Sequence, residues 1–496
     1  MISRRWQFGI TLTTPAVFTL ILLLGLTGSR IIIAGPATVP AAIETNWHTF
    51  LGSTLSAGDD DQGHGAAVDS AGYAYVVGTS NNGDWGSTPI TDHVAGMDGF
   101  LAKLDSDGAL LWHTFVGGSS ATDSAQAITI DAADQVFVAG TSYGGEWSTE
   151  PITDNHGARD AFVAKFNASG ERQWFTFVGT NGDEWGNAIA VDDAGNIYVG
   201  GTSVVNPYLA KLDSAGEFQW QRVITSTKGD LGYALGIATD QSGGVYITGF
   251  ADYDDWHNAP PSPVREHSSN YRDTFVAKLV DGEHGAVSWY TFLGPTEFTD
   301  NEKRAILVDT SPTPPAVYVA GWSTDDWGTP IQAYAGSTDA FVAQLNGDDG
   351  SLVWHTFIGS QNDSDEIHAL ALDGEGAQAR LFVAGDSGSG WGRPVISHPE
   401  GSVGDAVFVA ALSTEGRFLG HTFLGGASSA DSASGVAVSE QGGIYVVGSS
   451  SAAWNNPQWG SPIRAFHGSG DAFVAGLGTR SVVRYWIYAP LVLRDH

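Results

Sequence analysis

Four short strand-like segments repeated seven times predict an all-β fold, a seven-bladed β-propeller of four-stranded antiparallel blades. Three observations carry the prediction. An aromatic segment recurs at near-constant spacing, three further apolar segments recur between its copies, and the two ends of the chain are complementary fragments of one repeat.

The aromatic segment reads WHTF from Trp47 and Trp112, WFTF from Trp174, WQRV from Trp220, WYTF from Trp289, WHTF from Trp354 and GHTF from Gly420, at spacings of 65, 62, 46, 69, 65 and 66 residues. Between these lie AVD-like segments ending at Asp69, Asp131, Asp192, Asp240, Asp309, Asp373 and Ser439. YVVG-like segments follow, ending at Gly78, Gly140, Gly200, Gly249, Gly321, Gly385 and Gly448. The FVAKL-like segments begin at Phe100, Phe162, Tyr208, Phe275, Phe341, Phe408 and Phe473. Each is rich in β-branched or aromatic residues and bounded by Gly, Asp, Asn or Ser, as strands are. The chain opens with a lone WHTF strand and closes with the other three strands of a blade. The ring is therefore expected to close by pairing the N-terminal strand with the last three, leaving no open gap.

Composition agrees: 65 Gly and 17 Trp accompany only 16% charged residues, which suits tight turns and large aromatic contacts. A net charge of -33 argues against nucleic acid or an anionic membrane surface as partner and favours cations. With no cysteine, disulfides, thiolate metal sites and cysteine nucleophiles are excluded.

Residues 1–46 read as a signal peptide or N-terminal membrane anchor plus a short linker: Arg4 and Arg5, an apolar run from Ala16 to Leu26, then small residues at Gly35, Ala37, Ala41 and Ala42. The expected location is secreted or cell-surface, in a bacterium, with membrane contact only through that segment if it is not cleaved. Residues 47–477 form the propeller, and 478–496 an apolar tail that reads equally as a packing strap, a sorting tag or an interfacial segment.

The stretch DAFVAKF followed by GERQWFTFVG, then AIAVDDAGNIYVGG, resembles the bacterial seven-bladed β-propeller repeat family, often called SBBP. The resemblance implies an extracellular propeller and supplies no substrate and no catalytic residue. Blade three departs from the pattern, since PYLAKL follows Gly201 almost at once.

No HExxH, nucleophile elbow, phosphate loop or dinucleotide fingerprint is present. GDSGSG at 385–390 has a protease-like look, but Ser387 aligns with Ser80 and Ser142 as a strand exit. His48, His113, His355 and His421 hold one register position in different blades, too far apart for a shared metal, and are expected to face solvent. Each connection from a WHTF strand to the next AVD strand carries an acid, Asp123, Asp183, Asp230, Asp300, Asp365 and Asp431 among them. Together they are expected to ring one mouth of the channel, as acceptors of backbone N–H groups in turns or as weak ligands for calcium, the one cofactor the sequence suggests; Asp123, Asp300, Asp365 and Asp431 are the candidate metal ligands. In six long connections a Trp precedes a Pro: Trp85, Trp147, Trp256, Trp327, Trp391 and Trp459. These rings either pack on their own blade or stand free to stack on a ligand.

From the closing Gly to the next aromatic the intervals are 22, 22, 26, 20, 23 and 25 residues, but 8 in blade three. A gap in a wall of loops makes a groove, edged by Trp147 and Trp256 with Asp183 and Asp230 near its floor. The functional expectation is a monomeric binding or structural scaffold for a protein or carbohydrate, with a hydrolase or lyase built on the mouth acids as the rival, or a calcium-stiffened surface module.

Overall fold

The computed structural model describes residues 42–480 apart from 54–59, 95, 120–121, 145–146, 148, 227, 230–231, 241, 254, 258, 261, 268–271, 296–304, 362, 375–377, 400–403, 455–457 and 459, together with 37–38 and 483–484. Blade one sets the pattern. Its strands Asp61–Val68, Ala74–Ser80, Asp98–Leu104 and Leu110–Val116 pair antiparallel in sequence order. The second and third are wholly buried while the fourth is half exposed, as the middle and outer strands of a blade should be. Seven such sheets form, and their first strands touch one another in a closed cycle, Asp61–Val68 completing it against Asp431–Val438. The protein is a seven-bladed propeller.

Closure follows the expected scheme. The N-terminal strand Ala42–Leu51 pairs with Asp471–Arg480, which pairs with Ile444–Ser450 and so with Asp431–Val438. Pairing starts at Ala42, ahead of Trp47, and a further bridge of Ala37–Thr38 to Val483–Arg484 extends it. At the far end of blades one to five the AVD aspartate ties the first turn. Asp69 Oδ1 accepts from the N–H groups of Ala71 and Tyr73, and its Oδ2 meets Tyr75 and the buried Lys103 at 3.1 Å.

Neighbouring blades are locked by the first residue of the aromatic segment. Trp47, Trp112, Trp174 and Trp354 lie on the hairpin glycines Gly108, Gly170, Gly216 and Gly416 of the next blade, all at positive φ. A Cβ on Gly108 would come within 2.5 Å of the Trp47 ring. The Trp47 indole N–H donates to Ser106 O of the same hairpin at 2.8 Å.

The long connections do not stand up as a wall. Each runs back along the outermost strand of its own blade: Ile90 N donates to His113 O at 2.9 Å and Phe115 N to Thr91 O at 3.1 Å, and the same pair recurs with Ile152 and Phe177, Ile331 and Phe357, Val395 and Phe423, and Ile463 and Phe50. They cover edges that would otherwise be open to pairing.

Candidate functional site

The channel wall is made by a bulge that recurs in six inner strands. Pairing with the second strand slips between Gly63 and Gly65, and likewise at Ala125/Ala127, Gly186/Ala188, Ala234/Gly236, Ile367/Ala369 and Ala433/Gly435. An extra residue in one strand of a pair turns its side chain out of the ladder. The extra residues are His64, Gln126, Asn187, Leu235, His368 and Ser434, and all six line one central cavity of about 350 Å³. The bulge also accounts for the glycine that closes each YVVG segment: a Cβ on Gly78, Gly140, Gly385 or Gly448 would fall within 1.9 Å of an inner-strand carbonyl oxygen. In blade three the residue in that register is Gly201, one place after the Gly200 read from the repeat.

The bulged side chains bond across the seam to the next blade. His64 Nδ1 lies 2.9 Å from Ala125 O, Asn187 Nδ2 donates to Ala234 O at 3.0 Å, and His368 Nδ1 lies 2.7 Å from Ala433 O. His368 also sits 3.3 Å from Glu366 and 3.4 Å from Asp386. Two residues earlier in each inner strand stand Gln62, Ser124, Trp185, Tyr233, Glu366 and Ser432, of which Gln62 and Ser432 also line the cavity.

The acids expected at the mouth are present but inward. Asp123, Asp365 and Asp431 begin inner strands and are at most 2% exposed. Each accepts a backbone N–H from the loop before it: Gly118 N to Asp123 at 2.8 Å, Ser360 N to Asp365 at 2.6 Å, Gly426 N to Asp431 at 3.1 Å. Asp183 lies beside the blade-three turn, where its carbonyl accepts from Val204 N at 2.7 Å. Asp230 and Asp300 fall outside the described residues.

Unforeseen in the sequence, the mouth acids are doubled. At four seams the acid starting the third strand faces the acid starting the next blade's inner strand across a glycine. A Cβ on Gly117 would lie 2.6 Å from Asp98 Oδ1 and 2.9 Å from Asp123 Oδ2; Gly52, Gly179 and Gly359 stand likewise between Asp471 and Asp61, Asp160 and Glu184, and Asp339 and Asp365. Burial first, and then the facing carboxylate, pushes Asp123 and Asp339 up to about 6. Between blades three and four both positions change together, to Asn206 and Gly232. Among the described residues no three acids or histidines gather as a metal site would require.

Two expectations are corrected. The four histidines do not face solvent: His48, His113, His355 and His421 are at most 1% exposed, because the long loop folds over them and lays its Trp flat on each ring. The stacks are Trp85 on His113 at 4.9 Å, Trp327 on His355 and Trp391 on His421 at 3.8 Å, and Trp454 on His48 at 5.3 Å. Blade seven thus uses Trp454 where Trp459 was expected; Trp459 itself falls outside the described residues. Trp147 and Trp256 do not edge a groove. They are 8% and 6% exposed, stacked on Phe175 and Tyr290 at 4.6 Å, so the ring faces are taken up by the blade. Blade three has no such loop and carries Gln221 at the stacking position.

A closed propeller with a polar central cavity is the class that fold and site define. Two segments of the chain, residues 46–84 and 173–208, match the SBBP family model, described as Beta-propeller repeat. The chain is also similar to an uncharacterized WD repeat-containing protein of Acanthamoeba polyphaga mimivirus, 22% identical over 194 residues, covering 30% of this chain; the match spans only 14% of that protein's length. Among solved structures, a protein of unknown function from Dyadobacter fermentans is 10% identical and covers 88% of this chain and 100% of its own, with a TM-score of 0.40. An ulvan lyase, a polysaccharide lyase, is 11% identical over 82% of this chain and 92% of its own, with a TM-score of 0.43. None of these likenesses assigns a ligand.

Proposed function

We propose that the chain is an exported binding scaffold whose ligand, a small polar molecule or the end of a larger one, enters the central cavity. The ring of bulged residues carries this reading: five of the six side chains turned inward by the bulges are polar, and bonds to the neighbouring blade hold three of them in place before any ligand arrives. Export rests on the basic and apolar N-terminal segment. The binding test is a thermal-shift panel of neutral sugars, uronates and polyamines on the purified chain. At least one class raises the melting temperature if the cavity is a site, and a flat response to all three removes the reading. The mass of the protein recovered from its host tests export, with cleavage expected between about residues 34 and 42.

One observation favours a hydrolase or lyase, the placement of His368 between Glu366 and Asp386. A substrate screen in which turnover disappears in His368→Ala would carry that reading over simple binding.

A further inference from the structure

The chemistry of the cavity wall narrows the ligand. Amides from Gln62, Gln126 and Asn187, hydroxyls from Ser432 and Ser434, and the imidazoles of His64 and His368 line it, and none of the described lining residues is Lys or Arg. Amides and hydroxyls both donate and accept, which matches a ligand rich in hydroxyl groups, since each of those also does both. An anion meets opposition twice, from Glu366 and Asp386 beside His368 and from a chain of net charge -33. For a hard cation, no three acids or histidines gather among the described residues.

The wall is asymmetric. On the sides of blades three and four the positions of Gln62 and Ser432 are held by Trp185 and Tyr233. Leu235, in the cavity wall, follows two residues after Tyr233. Tyr233 is 36% exposed and leans on Phe250 at 4.9 Å, and Trp185 is half-buried with the Arg159 guanidinium 5.0 Å from its ring. Blade three is also the blade whose connection between second and third strands is a bare turn at Val204 and Val205. The register of the inner strands thus sets two aromatic residues, one with Arg159 against its ring, on the side of blades three and four, and Gln62 and Ser432 on the side of blades one and seven. A pyranose has the same division, with C–H groups on a face and hydroxyls around the rim.

Resting on the binding reading above, we propose that the cavity takes a neutral saccharide, its ring against Trp185 and Tyr233 and its hydroxyls toward Gln126 and Asn187. A cavity of about 350 Å³ lies at the small end of ligand pockets, which run from about 300 to 1,000 Å³. It therefore accepts the end of a glycan and not the length of one.

The test is titration calorimetry on the full chain with glucose, galactose, mannose and their β-linked disaccharides, against glucuronate and spermidine. A neutral sugar should bind, and Asn187→Leu and Trp185→Ala should each weaken it by about tenfold or more. Leu at position 187 is compatible with the fold because Leu235 holds the same place in blade four. An unchanged melting temperature in that variant separates lost binding from lost structure. Val353→Ser, on an exposed outer strand, should bind as wild type. Binding of glucuronate or spermidine alone overturns the saccharide and leaves the cavity as a site. Sugar binding untouched by both cavity variants overturns the location, and no binding by any probe overturns both.

Discussion

At the second position of the outer strand, one side chain decides how a loop is held. That residue is His113, Phe175, Tyr290, His355, His421 or His48 in the six blades with a long loop, always an aromatic ring under a Trp, and Gln221 in the blade without one. The ring is therefore the requirement and the imidazole is not, so His113→Phe should leave the melting temperature at pH 7.5 within about 2 °C. Its effect should appear on acidification. Burial lowers His48, His113 and His421 to about 4, and His421 Nδ1 is buried without a partner while Nε2 lies 2.9 Å from Trp391 O. Between pH 6.5 and 4 the unfolded chain takes up protons that the folded chain refuses. Each histidine thus stabilises the fold above pH 6.5, and that stability falls away as the pH drops, by roughly 1–3 kcal/mol per residue. His113→Phe and His421→Phe together should flatten the loss of melting temperature between pH 7 and 5; a slope equal to wild type would show that these rings are solvated in solution. The acid pairs act in the opposite sense. Asp123 and Asp339, raised to about 6, hold a proton in the folded chain between pH 3.8 and 6 that the unfolded chain has released, so their contribution is lost as the pH rises through 6. Asp123→Asn should raise the melting temperature at pH 7.5 and raise it by clearly less at pH 4.5. The histidines were misread from sequence because alternation along an outermost strand points every second residue away from the sheet, and nothing in the strand itself says that a loop some twenty residues away will cover it.

Whole elements show the same dependence on partners supplied by another segment. The Trp that opens each aromatic segment seats on a hairpin glycine of the following blade, and the segment without it, at Gly420, precedes blade seven. There the third and outer strands come from opposite ends of the chain and no hairpin joins them. The residue is missing where its partner is missing. This exception was visible in the sequence, as were the seven repeats and the closing strand, because repetition and register survive without coordinates. The cavity was not legible for the converse reason: its bulged residues are His, Gln, Asn, Leu, His and Ser in turn, and a search for sameness passes over a position that varies. Nor did the intervals of the long connections reveal that they lie along the blade edge. That arrangement has a measurable consequence at blade three. Among the described residues, no loop backbone pairs with the outer side of Phe218–Val223, whereas in blade one the corresponding strand bonds to Ile90 and Thr91. Amide exchange should run faster along 218–223 than along 110–116 by about tenfold or more. Equal protection would mean that another segment covers blade three. Within a covered blade, Trp327→Ala removes a ring stacked on His355 and packed edge-on against Phe341, and should cost about 3–5 kcal/mol.

Over the whole molecule, stability is a property of a closed ring of seams. Each first strand touches those on either side, and buried clusters run from blade to blade, joining Ile43 and Phe50 of the N-terminal strand to Phe382 and Val407 of blade six and Phe473 and Leu477 of blade seven. A solenoid can lose a terminal repeat and keep the rest, since each repeat rests only on its neighbours. A ring with one blade opened exposes two seams and two strand edges at once. Deleting residues 471–496 removes Asp471–Arg480, which is the pairing partner of both Ala42–Leu51 and Ile444–Ser450. The N-terminal strand then has no sheet to join, and the indole of Trp47 loses Gly476, against which it packs. Unfolding by heat or urea should remain a single transition in the full chain and shift to much lower temperature in the truncated one, with the fluorescence of Trp residues in blades two to five changing in the same step as those in blade seven. The shorter deletion 485–496 leaves both partners in place and serves as the comparison. If the 471–496 deletion melts within about 2 °C of the full chain, or if blades two to five keep their own transition while blade seven is lost, the seams act one at a time and closure contributes nothing to the ring as a whole.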